Sequence, residues 1–370
     1  MTDFAVIGGG IAGVSAAAHL APHGSVTLFE MESSLAFHTT GRSAAIFVVN
    51  YGGDGSRPLA RASQGFLENP PDYSSDNPIL TDRGILWAAP EDRLPYLRQI
   101  AEEGQASGAG SILLDADEVR ALVPVLNPDY AAGGLYEPMG RDIDVAGLHQ
   151  AFVRISRRHG SDILTGARVV GLTRKGNTWS VHTSEGTVEC DAIVNAAGAW
   201  GDEVAELAGI DPVGLQPRRR TAFMVPGHED YANWPMLVDV DHNFYFRPDG
   251  IQLLCSFAEE VASPPTDPRP RMEDVALTIE RINDATSLDI RTVNSQWTGL
   301  RTFAPDGELV IGEEPTAKGF FWCVGQGGTG ISVSPAVGAL LASQITGAEL
   351  PVDLTSAGVD PGITSPARFR

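Results

Sequence analysis

The chain opens on an apolar run, Phe4 to Ile7, followed by Gly8, Gly9 and Gly10, and then by small and apolar residues from Ile11 to about Leu20. A four-residue apolar run stopped by glycine reads as a buried parallel strand, and the stretch after it reads as a helix. His23 and Gly24 then separate the helix from a second apolar strand, Ser25 to Phe29, which ends in Glu30. This is the pattern of a β-α-β unit.

Further along, Phe37 to Tyr51 reads as a loop entering an apolar stretch, with Thr39, Thr40, Gly41, Arg42 and Ser43 at its head. Pro70, Pro71, Asp72, Ser74, Ser75, Asp76 and Pro78 mark irregular chain before a short strand, Gly84 to Ala88. Asp144 caps a helix whose apolar face is Val145, Leu148, Phe152 and Ile155, with Arg157, Arg158 and His159 in its last turn and Gly160 after it. His149 on that helix is packed or exposed, with no role assigned.

The period then changes from helical to alternating. Val169 to Thr173, Thr178 to Thr183 and Thr187 onward are short strands joined by turns at Lys175–Asn177 and at Glu185 and Gly186, a three-stranded meander running into Ala192 to Val194. Asn195, Ala196, Ala197 and Gly198 form a small-residue turn before Trp200 and a helix through Leu207. After Pro217 come strands from Arg218 to Val225, Asn243 to Arg247 and Ile251 to Phe257, then a helical pattern over Asp274 to Ser287. The chain returns near Trp297 and continues through strands Glu308 to Ile311 and Phe320 to Val324. A loop of Gly325, Gln326, Gly327, Gly328, Thr329 and Gly330 opens a last helix near Ile331.

The glycine spacing carries chemistry. Gly8 makes a tight turn, Gly10 lets backbone approach a pyrophosphate, and Gly13 lets the helix lie close on the sheet, so that phosphates meet a helix N-terminus. Glu30 can accept hydrogen bonds from ribose hydroxyls and repels a 2′-phosphate, which favours NAD or FAD over NADP. A meander crossover and a strand ending in Ala-Ala-Gly favour FAD. The late glycine loop offers free N–H groups and a positive helix end to a flavin ring that becomes anionic on reduction.

The fold class expected is α/β and α+β: a Rossmann-like FAD-binding domain with a β-meander crossover, plus an antiparallel-sheet substrate domain. The first is assigned to residues 1–82, 142–215 and 300–370, the second to 83–141 and 216–299. A chain of 370 residues exceeds the usual size of one core and agrees with two domains.

The net charge of −21 disfavours nucleic acid and anionic membrane as partners and makes clustered arginines notable. Cys190, Cys255 and Cys323 match neither a disulfide framework nor a metal site, so reduced thiols, a cytoplasmic location and no metal are expected. The sequence shows no signal-peptide pattern. Thr329 to Gly347 is uncharged for about the length of a membrane span, but its serines, glycines and Pro335 favour a buried helix.

Several stretches together carry a resemblance: the N-terminal glycine motif, FHTTGRSAAIFVVNY at 37–51, VNAAGAW at 194–200, LQPRRRTAF at 215–223, GLRTFAPDGELVIG and FFWCVGQGGTGI. In this order along nearly the whole chain they resemble the D-amino-acid oxidase and glycine oxidase family, and within it the bacterial D-arginine dehydrogenases. The resemblance implies that Gly8, Gly10, Ile11, Ala12, Gly13, Glu30 and Met31 hold the ADP half of FAD, with Val169 offering backbone to the adenine. Thr40, Gly41, Arg42, Ser43 and Ala44 pass along the flavin, Gly198 approaches the ribityl chain, and Gly327, Gly328, Gly330 and Ile331 bind the pyrimidine edge. Gly328 and Thr329 also border the substrate. Arg220 and Arg301 grip a substrate carboxylate, as the planar fork of arginine does, and Tyr51 and Tyr245 close the site over it. Arg218 and Arg219 are left as surface or ion-pair arginines.

The departures bear on substrate. Where the arginine-oxidising relatives carry a glutamate this chain has Ile85; a histidine is replaced by Ile46 and a threonine by Val48. A cationic side chain would meet an apolar wall, so an apolar or uncharged side chain is expected. No cysteine occurs at the GLRTF segment, where relatives with covalent flavin place one, so FAD is expected to be noncovalent; His38 is the conceivable alternative attachment.

The activity implied is oxidative deamination of a D-amino acid by hydride transfer from Cα to flavin N5, with hydrolysis of the imine to a 2-oxo acid and ammonia. Oxygen or a quinone would reoxidise the flavin. The alternatives are another FAD amine oxidase, acting on glycine, an N-alkyl amino acid or a biosynthetic amine, and a non-redox protein that keeps the fold.

Overall fold

The computed structural model describes residues 1–49, 51–106 and 110–370. Its first sheet is built around the strand Thr2–Ile7, in which Phe4 pairs in parallel with Val26 of Val26–Phe29 on one side and with Ala192 on the other. Asp162–Leu164 extends the sheet beyond Val26–Phe29. The β-α-β unit expected from the glycine pattern is present, with its helix at Ile11–Leu20.

The meander is also present, as Val169–Lys175, Thr178–Thr183 and Gly186–Asn195. Its last strand changes partners midway. Up to Cys190 it runs antiparallel to Thr178–Thr183, and from Ile193 to Asn195 it runs parallel to Phe320–Trp322. Outside Phe320–Val324 lies Val310–Glu313, two residues later than expected for that strand.

Alternation along each strand separates two cores. Val6, Leu28 and Val194 face the helices Ile11–Leu20, Ser56–Glu68, Val145–Arg158 and Gly330–Thr346. Ala5, Ile7, Phe29 and Ile193 face the meander and the helix Gly201–Leu207. Small residues let the first and last of the four helices touch: the Ser15 hydroxyl donates to the Ser334 carbonyl at 2.6 Å, and a Cβ on Gly338 would lie 2.3 Å from Ser15 Oγ.

Pro335 interrupts the last helix without breaking it. Proline offers no N–H to the carbonyl four residues back. The Ser334 hydroxyl donates to that carbonyl, of Ile331, at 2.9 Å instead. The Ala336 N–H donates to Ser63 Oγ on the neighbouring helix at 3.1 Å. Among the described residues no helix is long and apolar enough to cross a membrane.

The second sheet has the strand order Ser295–Phe303, Gln216–Pro226, Gln252–Ser256, Tyr245–Asp249, Met236–Asp239, Ile85–Ala89, Gly133–Glu137 and Ile112–Asp115. Its pairings are antiparallel except between Met236–Asp239 and Ile85–Ala89, which run parallel and join the two excursions of the chain. The boundary expected between residues 299 and 300 falls inside the edge strand Ser295–Phe303, which pairs along Gln216 to Met224. One face, carrying Leu86, Phe223, Val225, Leu237, Phe244 and Phe246, packs on the helices Ala116–Leu122 and Met272–Ala285. The other, carrying Ile85, Ala222, Met224, Met236, Val238 and Tyr245, packs with Ala44, Ile46 and Val48 of the segment that follows the first β-α-β unit.

Candidate active site

The glycine turn is shaped by backbone contacts that leave no room for side chains. Gly8 has φ +113°, and a Cβ there would lie 2.4 Å from the Ala196 carbonyl oxygen; on Gly13 it would lie 1.8 Å from that of Gly8. Only glycine combines that dihedral with that approach. Glu30 is buried and holds the turn: its Oε2 accepts from the Gly9 N–H at 2.7 Å and its Oε1 from the Glu32 N–H at 2.8 Å. Each oxygen keeps a further lone pair for a ribose hydroxyl. Thr40 Oγ1 accepts from the Ile11 N–H at 2.9 Å, tying the following loop to the helix start.

His149, to which the sequence assigned no role, is buried and stands 3.0 Å from the Gly9 carbonyl through Nε2. Burial holds its pKa below the usual value, so the neutral ring donates Nε2–H to that carbonyl. It holds Gly9 by its carbonyl, as Glu30 holds it by its N–H.

A cavity of about 660 Å³ runs from this turn to the second sheet. It is lined by Gly8, Gly10, Ile11, Ala12, Glu30, Met31, Thr40, Arg42, Ser43, Ala44, Val169 and Gly198, then by Gly327, Gly328, Gly330 and Ile331, and finally by Ile46, Val48, Tyr51, Ile85, Arg220, Tyr245 and Arg301. Three expected residues do not line it. Gly13 packs its Cα against the Gly8 carbonyl, and Gly41 is exposed, with a Cβ position 2.3 Å from the Ala36 carbonyl oxygen. Thr329 is buried, and its hydroxyl donates to the Gln326 carbonyl at 3.1 Å, shaping the glycine loop from inside.

The lining fits FAD. Gly198 has φ +55° with nothing within 4 Å of where a Cβ would stand, an open approach for a ligand. His38, its ring tilted 45° to that of Trp200 at 4.6 Å, uses Nε2 on Glu32 at 2.9 Å, while its buried Nδ1 has no partner among the described residues. The loop before Gly330–Thr346 turns at Gly325 and Gly327, both at positive φ, and directs a helix N-terminus at the cavity. Arg42 ties its loop to the second sheet: its guanidinium donates to the Thr298 carbonyl at 2.9 Å and pairs with Asp267 at 2.6 Å, and its own carbonyl accepts from Trp297 Nε1 at 2.9 Å.

Arg220 and Arg301 reach the cavity by strand parity. In the edge pair of the second sheet Arg220 opposes Gly299 and Arg301 opposes Arg218, so the two cavity arginines lie diagonally on one face. Arg220 is largely buried, its Nη2 lies 3.2 Å from Glu260 Oε1, and burial and the charge of Arg301 both lower its pKa. Arg301 pairs with no carboxylate among the described residues. A Cβ on Gly328 would stand 3.3 Å from Arg301 Nη1 and 3.1 Å from the Tyr51 hydroxyl, so loop, arginine and tyrosine converge. Tyr245 is buried and Tyr51 about half exposed. Arg218 pairs with Glu260 at 2.9 Å and lies over the Phe303 ring; Arg219 points to the opposite face and donates to the Arg269 carbonyl.

The cavity also contains Trp87, Glu137 and His242, which sequence reading missed. Glu137 has a periodicity signal, sharing a face with Leu135, but its opposite number across the sheet is set by register alone.

A family model, DAO: FAD dependent oxidoreductase, matches residues 3–344. Curated relatives include the mitochondrial sarcosine dehydrogenase of Mus musculus, 27% identical over 71% of this chain and 30% of its own length. The mitochondrial dimethylglycine dehydrogenase of Rattus norvegicus is 26% identical over 94% of this chain and 43% of its own. The chain thus spans less than half the length of these relatives. Glycine oxidase from Bacillus cereus ATCC 14579 superposes with a TM-score of 0.83 at 25% identity, covering 94% of this chain and 95% of that one. L-proline dehydrogenase from P. horikoshii shares the fold with a TM-score of 0.85 at 21% identity, covering 100% of this chain and 97% of that one. The narrower likeness to D-arginine dehydrogenases is not shown by these relatives. With a nucleotide turn, a flavin-sized cavity and a family match over nearly its whole length, the chain belongs to the DAO family of FAD-dependent oxidoreductases.

Proposed function

We propose that this protein oxidises the carbon–nitrogen bond of an α-amino acid whose carboxylate is held by Arg301 and Arg220. The observation that carries this reading is the Arg301 guanidinium: it faces the cavity beside Gly328 and Tyr51 without a carboxylate partner among the described residues. A cation in an enclosed, partly apolar site calls for an anion, and a carboxylate matches its planar fork.

FAD, when bound, supplies the acceptor for the two electrons and the hydrogen released from the substrate carbon. The protein's residues do the positioning. Arg301 and Arg220 fix the carboxylate, Tyr51 and Tyr245 close over it, and Ile46, Val48 and Ile85 form an apolar wall against the carbon chain. Oxidation of the amine leaves a C=N bond, which water hydrolyses to a 2-oxo acid and ammonia.

D-amino acids are the first substrates proposed. A second reading, N-alkyl amino acids, is supported by the sarcosine and dimethylglycine dehydrogenases among the relatives; it would release an alkylamine or an aldehyde according to which carbon is oxidised. Anaerobic mixing with both enantiomers of the amino acids, with glycine and with their N-methyl forms, followed by flavin absorbance at about 450 nm, separates the readings. Bleaching by D-amino acids supports the first; bleaching by N-methyl forms alone supports the second. A yellow protein that none of them bleaches overturns both. Oxygen and quinone acceptors are then compared by the rate of recolouring.

A further inference from the structure

Glu137 stands directly opposite Ile85 in the antiparallel pair Ile85–Ala89 and Gly133–Glu137. Directly opposed residues project from the same face, and here that face is the cavity side of the second sheet, shared with Trp87, Met236 and Val238. A carboxyl therefore stands one strand away from Ile85 on the cavity face. Trp87 Nε1–H donates to Glu137 Oε2 at 2.8 Å, which orients the group. Its Oε1 has no hydrogen-bond partner among the described residues, and no arginine, lysine or histidine there forms an ion pair with it.

His242, a basic residue also lining the cavity, packs edge-on against Trp87 at 5.2 Å. Burial and the charge of Arg220 lower its pKa, so it does not supply a cation near neutral pH. A half-buried carboxyl without a counter-charge is costly, and burial raises the pKa of Glu137. A cationic ligand nitrogen would complete the arrangement, with Oε1 as ion-pair partner and the indole face beside it.

We propose that Glu137 and Trp87 recognise a positively charged nitrogen on the substrate side chain, so that the preferred substrates are diamino or guanidino acids. This rests on the amino-acid oxidation proposed above. The carboxylate lies at the Arg301 and Arg220 side of the sheet face, the second nitrogen lies at Glu137, and the intervening methylenes pack on Ile85 and its neighbours. An apolar wall at position 85 is compatible with such a substrate, because the carbon stem, and not the charge, touches it.

The test compares kcat/KM for matched pairs of equal length, lysine with norleucine and ornithine with norvaline, in both enantiomers, for the FAD-loaded wild type, Glu137→Gln and Trp87→Phe. The wild type is expected to favour the charged member by about 10- to 100-fold, the range of one charge-assisted contact. Glu137→Gln should collapse that ratio at least tenfold, chiefly through KM, and Trp87→Phe should reduce it less. Melting temperature and bound flavin per chain establish that the variants are folded. A wild-type ratio near one, or a ratio that survives Glu137→Gln, overturns the proposal while leaving amino-acid oxidation intact. If no member of either pair is oxidised or perturbs the bound flavin spectrum, this proposal falls, and amino-acid oxidation falls with it only when the wider panel of enantiomers, glycine and N-methyl forms also leaves the flavin unbleached.

Discussion

Arg220 stands directly opposite Gly299 on the neighbouring strand, so no side chain faces its guanidinium from across the pair. Arg301 lies one diagonal away, and burial first, then the charge of Arg301, lower the Arg220 pKa. Two like charges held together in a partly buried cavity are destabilising until an anion binds. Glu260 offsets part of this at Arg220, and an anion held by both arginines would relieve the rest.

Arg301→Met is therefore expected to lower kcat/KM for the best amino acid by about 10²- to 10⁴-fold, the loss of a bidentate charged contact. Arg301→Lys should recover only part of it, since an ammonium keeps the charge but not the fork. Steady-state kinetics on an amino acid and on the amine lacking its carboxylate make the check. Equal losses for both compounds would show that Arg301 does not bind the carboxylate.

Gly13 and Gly65 are predicted to respond oppositely to alanine. At Gly13 a Cβ would lie 1.8 Å from the Gly8 carbonyl oxygen, so Gly13→Ala must push the helix from the nucleotide turn, costing at least about 2 kcal/mol. Gly65 is exposed in the helix Ser56–Glu68 with nothing within 4 Å of its Cβ position, so Gly65→Ala should stabilise by about 0.5–1 kcal/mol. Denaturant midpoints and flavin content measure both; loss of flavin is expected only from Gly13→Ala.

Acidification should weaken the fold beginning near pH 6.5. Burial lowers the pKa of both His19 and His149 in the folded chain. The unfolded chain therefore takes up these protons first, and stability that is complete above about pH 6.5 declines as pH falls below it. Glu314 does not contribute in this interval: burial pushes its pKa up, but hydrogen bonds from Arg370, Thr316 and Trp322 outweigh that and hold it at about 2. Its stabilising effect is present above the ordinary carboxylate range and fades only toward that value. Urea midpoints at pH 7.5 and 5.5 should differ, and His149→Gln, which keeps a donor for the Gly9 carbonyl, should narrow the difference. An unchanged difference would assign the pH response to other groups.

Acid precipitation of the purified protein should leave its FAD in the supernatant, because no cysteine lies in the Ser295–Phe303 strand. Flavin retained in the pellet would direct attention to His38, whose Nδ1 is buried beside the cavity without a protein partner among the described residues. His38→Ala would then release it.

Much of the cofactor end was legible because its determinants are local. Gly8 to Gly13, the strands on either side and Glu30 lie within one short stretch, and their roles follow from dihedral freedom and close approach. The meander and the late glycine loop were legible for the same reason, each being a sequence of short strands or turns with its own composition. The pocket for the substrate was less so. Ile85 was read as removing a carboxylate, and nothing near it in sequence says that Glu137, some fifty positions away, returns one beside it. His149 was likewise silent, since its partner is the Gly9 carbonyl on a remote turn.

By itself, then, the sequence determined the nucleotide unit and the order of elements, because periodicity and glycine placement are properties of neighbouring residues, whereas Arg220 and Arg301 were singled out through the family resemblance. Only the tertiary structure decided which residues meet: that Arg220 and Arg301 share one face while Arg219 leaves it, that Gly13, Gly41 and Thr329 do not line the cavity, and that Glu137 and Trp87 do. Strand register decides these matters, since a shift of one residue turns every side chain to the opposite face.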